Sequence, residues 1–119
     1  MRLTRSFGAL TALILLAGPV GLSAQAVEVT EPFKVGTFGI EGVKTVGLVF
    51  RDAIVADLSA ANDLLETDPA YPHIPMPEDM IALIGQYEYG LKYRIYEIAN
   101  NLVDGGRLTG STRASFVHD

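Results

Sequence analysis

The side chains of this chain that could do chemistry are its histidines, serines, acids and tyrosines, because it has no cysteine and therefore neither a thiol nucleophile nor a disulfide framework. Only two histidines are present. His73 lies among Tyr71, Pro72, Ile74 and Pro75, and a metal site there would draw on Glu78 or Asp79 for oxygen ligands. One imidazole beside two acids of a helix start is a thin ligand set, so His73 reads as a loop histidine. His118 stands next to the terminal Asp119 and reads as a linker residue. Gly36, Gly39 and Gly42 recur every third residue but make no GxGxxG, lead into no helix and meet no GK[ST]. They suit close strand contacts and turns instead of a phosphate loop. Ser59, Ser111 and Ser115 lack a GxSxG setting and a histidine partner, and read as caps and loop polars. Glu88 and Lys92 form an acid-first pair four apart on a solvated helix face. Tyr87, Tyr89, Tyr93 and Tyr96 form an aromatic cluster that packs against neighbouring structure or offers rings and hydroxyls to a carbohydrate or protein partner. No residue is assigned a catalytic, cofactor-binding or metal-binding role.

The elements that must position these groups are legible from their patterns. Phe33 to Ile40 alternates, and Thr45 to Phe50 ends in Val46-Gly47-Leu48-Val49-Phe50, almost continuously apolar, as a strand covered on both faces would be. Glu41-Gly42 supplies a tight turn between them, with Gly42 free to take positive φ. Arg51-Asp52 supplies a second polar turn before Ile54-Val55-Ala56-Asp57-Leu58, giving a small antiparallel meander that leads into a short helix capped by Asp57 or Ser59. Pro69, Pro72, Pro75 and Pro77 then remove backbone donors and impose an ordered or semi-rigid loop that packs through Tyr71 and Ile74.

From Pro77 to Val103, Met80, Ile84, Tyr87, Leu91, Ile95, Ile98 and Leu102 recur at spacings of 4, 3, 4, 4, 3 and 4, the clearest helical stripe in the chain. Pro77 fits a first-turn position, Glu78 and Asp79 favour the positive end of the helix dipole, and Gly105-Gly106 offers a stop. An unbroken helix of that length would run about 39 Å, at about 1.5 Å per residue, against a diameter of roughly 30 Å for so small a domain. A break near Gly85 to Gly90 is therefore predicted. The fold class expected is α+β, a small antiparallel β-meander followed by helices, the last of them long or broken.

The first residues have the form of an export signal. Arg2 and Arg5 make a basic start, Phe7 to Leu16 is an apolar core, and Ala24-Gln25-Ala26 is a small-x-small cleavage site, so residues 1–26 read as a signal peptide and the protein as exported, periplasmic or secreted. Gly18-Pro19 interrupts the apolar run before it reaches the about 20 residues of a spanning helix, which leaves no membrane association after cleavage. Loss of Arg2 and Arg5 takes nine basic side chains to seven against fourteen acidic ones, a formal charge of −7. That balance argues against nucleic acid and against an anionic membrane surface.

The block running from Lys34-Val35 and Thr37-Phe38, through the Val46-Gly47 strand, to Val55-Ala56-Asp57-Leu58 resembles the N-terminal domain of fumarylacetoacetate hydrolase family proteins. The likeness continues through Leu64-Leu65 and the Met76-Pro77-Glu78-Asp79-Met80-Ile81-Ala82-Leu83-Ile84 helix start, covering residues 33 to 103. It is a pattern of strands and helices more than a catalytic fingerprint. It implies that residues 27–106 are the family's N-terminal domain, that 107–119, which lack a clear period, begin an interdomain linker, and that the chain is a fragment or truncated product. The whole protein would then be a hydrolase of carbon–carbon bonds in acylpyruvate-type 2-oxo acids, with decarboxylation or isomerisation in some relatives. The resemblance places the divalent metal, magnesium or manganese, and the catalytic histidine region in a C-terminal domain that is this chain's expected partner; it also admits a homo-oligomer of the full protein, and no cofactor belongs to residues 1–119. The rival reading is a self-contained exported binding or interaction module that uses the tyrosine-bearing helix.

Overall fold

The computed structural model describes residues 27–119, and the leader expected over residues 1–26 lies outside them. Four strands, β1 (Phe33–Ile40), β2 (Val43–Phe50), β3 (Ile54–Asp57) and β4 (Val117–His118), form one antiparallel sheet in the order β1-β2-β3-β4. The helices are α1 (Leu58–Leu65), α2 (Met80–Gln86) and α3 (Lys92–Asp104), with a kinked segment, Tyr87–Leu91, between the last two. The class is α+β, a meander followed by helices, and the last helical region is broken as its length requires. The break is sharp at Tyr89 (φ −98°, ψ 26°) and Gly90 (φ 115°, ψ −23°). A side chain at residue 90 would be strained at that φ, which is why glycine stands there.

Both hairpin turns use left-handed backbone. Glu41 (φ 53°) and Gly42 (φ 81°) make the two-residue connection whose twist matches that of paired strands. The second connection is three residues, 51–53, in which Arg51 (φ 58°) and Asp52 (φ 55°) take left-handed backbone without a glycine, a conformation that persists only where its surroundings hold it. Two surface ion pairs flank this turn. Arg51 donates two hydrogen bonds of 2.9 Å to the Glu31 carboxylate, and Lys34 Nζ donates to Asp52 at 2.7 Å.

The period-two pattern of β2 puts Val46, Leu48 and Phe50 into the core, where they meet Ile54 and Ala56 of β3, Leu58, Ala61 and Leu65 of α1, and Ile95, Ile98, Ala99 and Leu102 of α3. On the opposite face, a Cβ at Gly47 would lie 2.8 Å from a Val55 methyl and 3.2 Å from the Phe38 ring, so only glycine fits beneath them. Gly36 is its partner across the hairpin.

Helix ends follow local chemistry. Asp57, not Ser59, caps α1 by accepting from the Ala60 N–H at 3.2 Å, and Asp79 caps α2 by accepting from the Ala82 N–H at 2.8 Å. Pro77 therefore precedes α2 instead of occupying its first turn. Gly106 (φ 66°) closes α3, with its N–H donating to the Val103 carbonyl and that of Arg107 to the Leu102 carbonyl. Beyond that stop the backbone departs from the expected linker. Leu108, Ala114 and Val117 are buried, and Val117 pairs with Ala56. Residues 107–119 escape a periodicity reading because they fill the core with single apolar side chains at irregular intervals.

Candidate functional site

The densest polar cluster surrounds Arg94, which α3 carries on its buried face. The side chain is 3% exposed. Its Nη1 donates to Asn62 Oδ1 at 2.8 Å and Glu66 Oε2 at 3.0 Å, and its Nη2 to the Pro72 carbonyl at 2.7 Å. Glu66 Oε2 also accepts from the Ile74 N–H at 2.7 Å and from Asn62 Nδ2 at 3.0 Å, while Asn62 Nδ2 donates in addition to the Ile74 carbonyl at 3.0 Å. A proline-rich loop cannot hydrogen-bond through its prolines, so α1 and α3 hold it from outside.

His73 takes part through Nδ1, 2.9 Å from Glu66 Oε1. A carboxylate only accepts, so Nδ1 carries the hydrogen and donates it. The imidazole is 77% exposed, and its acidic partner is Glu66; Glu78 and Asp79, the partners suggested by sequence, are elsewhere. Asp79 is engaged as a helix cap. Among the described residues no three of His, Asp and Glu converge as metal ligands would. The cluster positions a loop.

The bonds to Glu66, first that of the Ile74 N–H and then those of His73, Asn62 and Arg94, hold its carboxyl down to about 2 against the opposing effect of desolvation. A carboxylate depressed on folding contributes stability above its unfolded pKa, near 4.5, and that contribution is lost as pH falls towards about 2. The expected outcome is that acid titration between those values lowers the unfolding midpoint, and that Glu66→Gln flattens this limb of the profile.

The tyrosines divide between two roles. Tyr96 stacks edge-on against Phe33 at 6.0 Å, and Tyr87 packs half-buried on the core. Burial, with the phenol of Tyr96 beside it, pushes the Tyr87 phenol up to about 12 and keeps it neutral. Tyr93 meets Tyr96 edge-on at 6.3 Å while remaining half exposed, and Tyr89 at the helix break is 91% exposed. Beside the break, Ile81 and Ile84 are 85% and 65% exposed. Three apart on α2, they are surface neighbours. A groove of about 350 Å³ lies between β1 and the kink that follows α2, lined by Val35, Leu83, Ile84, Tyr87 and Glu88. This apolar face is the candidate interaction surface.

The remaining candidates are scattered. His118 is half-buried on β4 opposite Val55, Ser59 is exposed in the first turn of α1, Ser111 lies in a 3₁₀ turn (Gly110–Thr112), and Ser115 is exposed in the loop before β4. Glu88 accepts from Lys92 Nζ at 3.2 Å, as their spacing predicts. Among the described residues no helix is long and apolar enough to cross a membrane. No protein-family model, curated protein or solved structure matches the chain.

Proposed function

We propose that residues 27–119 are the non-catalytic N-terminal domain of an exported fumarylacetoacetate hydrolase-like protein, working beside a catalytic domain that acts on acylpyruvate-type 2-oxo acids. The observation that carries this reading is the α2 face, where Ile81 and Ile84 stand in water beside an apolar groove. Contiguous exposed apolar surface of this kind marks a place where another surface packs. The meander and the helix start at Met80 also fall on the residues that carry the family resemblance.

In this reading a divalent metal held by the catalytic domain would supply charge stabilisation to the 2-oxo-acid oxygens. The described residues offer no ligand set for it. This chain's part is to fold, to present the α2 face and to support its neighbour. The test compares residues 27–119 with the protein extended in frame past residue 119, using an acylpyruvate with magnesium or manganese and, separately, an apolar dye. Turnover is expected only in the extended protein, and the dye should bind the shorter chain and be displaced by the extension. Turnover by residues 27–119 alone would place the active site within them. The self-contained module is favoured by the 91% exposure of Tyr89. It becomes the better account if the shorter chain is monomeric, dye-silent and no less stable than the extended one.

A further inference from the structure

The segment leading into β1 is laid along α3 in register with its turns. The Phe33 ring meets Tyr96. One turn further on, Asn100 Oδ1 accepts from the Thr30 N–H at 2.9 Å and from its hydroxyl at 3.2 Å, and Asn100 Nδ2 donates to the Glu28 carbonyl at 2.7 Å. Val27 then lies in a groove of about 540 Å³ that also involves Tyr71, Glu97, Asn101, Asp104 and Gly105. The chain thus runs towards the α3 C-terminus and brings Val27 there.

The basic side chain close to that end of α3 is Arg107, whose Cγ lies 3.5 Å from where a Cβ on Gly105 would sit, and among the described residues it forms no ion pair with Asp104. Asp104 is its last residue and Gly105 its cap, no basic side chain stands in the last turn, and Asp104 has no ion-pair partner among the described residues. A carboxylate at the negative end of a helix dipole is unfavourable unless a positive charge joins it. The other titratable groups lining the groove are Glu97, which has Arg94 Nε at 3.5 Å, and Tyr71, while Glu28 is carried on the incoming segment itself. Val27 is also the residue that follows Ala24-Gln25-Ala26.

We infer that the groove at the α3 C-terminus is a binding site for the protein's own processed amino terminus: cleavage after Ala26 frees the Val27 α-ammonium, and Asp104, with Glu97 nearby, receives it. Asn100 is the positioning residue, since its amide fixes residues 28 and 30. Before cleavage the Val27 nitrogen is an uncharged amide, so the contact forms only in processed protein. This goes beyond the proposed catalytic partnership and stands or falls without it.

The test uses the protein recovered after export, with whatever follows residue 119 retained. N-terminal mass analysis should find Val27 as the first residue; an intact leader or another start overturns the inference. In the processed protein the α-amino group should titrate above its ordinary range of about 7.7–8.0, and Asp104→Asn or Asn100→Ala should return it to that range. Acetylating the α-amino group should lower the unfolding midpoint at pH 7 by about 2–5 °C. A group whose pKa rises on folding contributes below its unfolded value, and that contribution disappears as pH climbs through the folded one. The gap between free and acetylated protein should therefore close in alkali. An ordinary α-amino titration, or equal midpoints for the free and acetylated forms at pH 7, would show that the terminus shares the groove with Asp104 without binding it.

Discussion

Leu48→Ala is expected to leave residues 27–119 unfolded or nearly so at 25 °C. Leu48 is 0% exposed at the centre of β2, in a core filled by Phe50, Leu58, Leu65, Ile95, Ile98 and Leu102. Replacing a buried leucine by alanine costs about 2–5 kcal/mol, with the upper values where the site cannot collapse. β2 is paired on both sides, to β1 and β3, so its backbone cannot move in to close the gap. The whole margin of a small domain is about 5–15 kcal/mol, and one of this size lies towards the low end. Ser59→Ala is the matched control, because Asp57 has taken the cap and Ser59 is exposed. Denaturant unfolding followed by circular dichroism checks both. A Leu48→Ala midpoint within error of the parent would mean that β2 is not the centre of the core.

The second large effect belongs to Arg94→Ala. It removes a guanidinium that serves Asn62, Glu66 and the Pro72 carbonyl, and leaves those acceptors facing a hole. Each buried acceptor left unpaired costs about 1–3 kcal/mol, so the loss is comparable to that of a core leucine. Its character should differ. The sheet and the α1–α3 contact survive, while the loop between residues 67 and 77 loses the clamp on Pro72. Limited proteolysis should show faster cleavage within that loop under conditions where the parent is resistant. Arg94→Lys should not restore resistance, because a single ammonium cannot present the planar fork that reaches Asn62, Glu66 and Pro72 together. Unchanged proteolysis in both variants would show that packing of Tyr71 and Ile74 holds the loop unaided.

What the sequence disclosed of this structure was local. Glu41-Gly42, the Asp57 cap and the Gly105-Gly106 stop are recognisable because a turn or a cap is decided by its own few residues. The stripe from Leu91 to Leu102 is legible for the same reason. Ile84 shows the limit: extrapolation of that stripe across the break puts it in the core, but the kink at Gly90 shifts the phase, and Leu83 is buried in its place. The Arg94 cluster joins residues 28 and 32 positions apart, beyond the reach of any spacing rule. One signal was available. Arg94 falls three residues after Leu91 and four before Ile98, on the apolar side of its helix, where an arginine requires partners. Its acidic partner, at the end of α1, could be named only once the helices were packed.

The placing of β4 has a consequence for the order in which the protein can fold. His118 pairs with Val55, and residues 28 and 30 are fixed by Asn100, so both ends of the described chain are tied to distant positions. The β1–β2 hairpin needs only its own residues, whereas the sheet and the amino-terminal segment close late, across long loops whose entropy must be met first. A chain emerging from its amino terminus cannot complete this core until residue 117 is available.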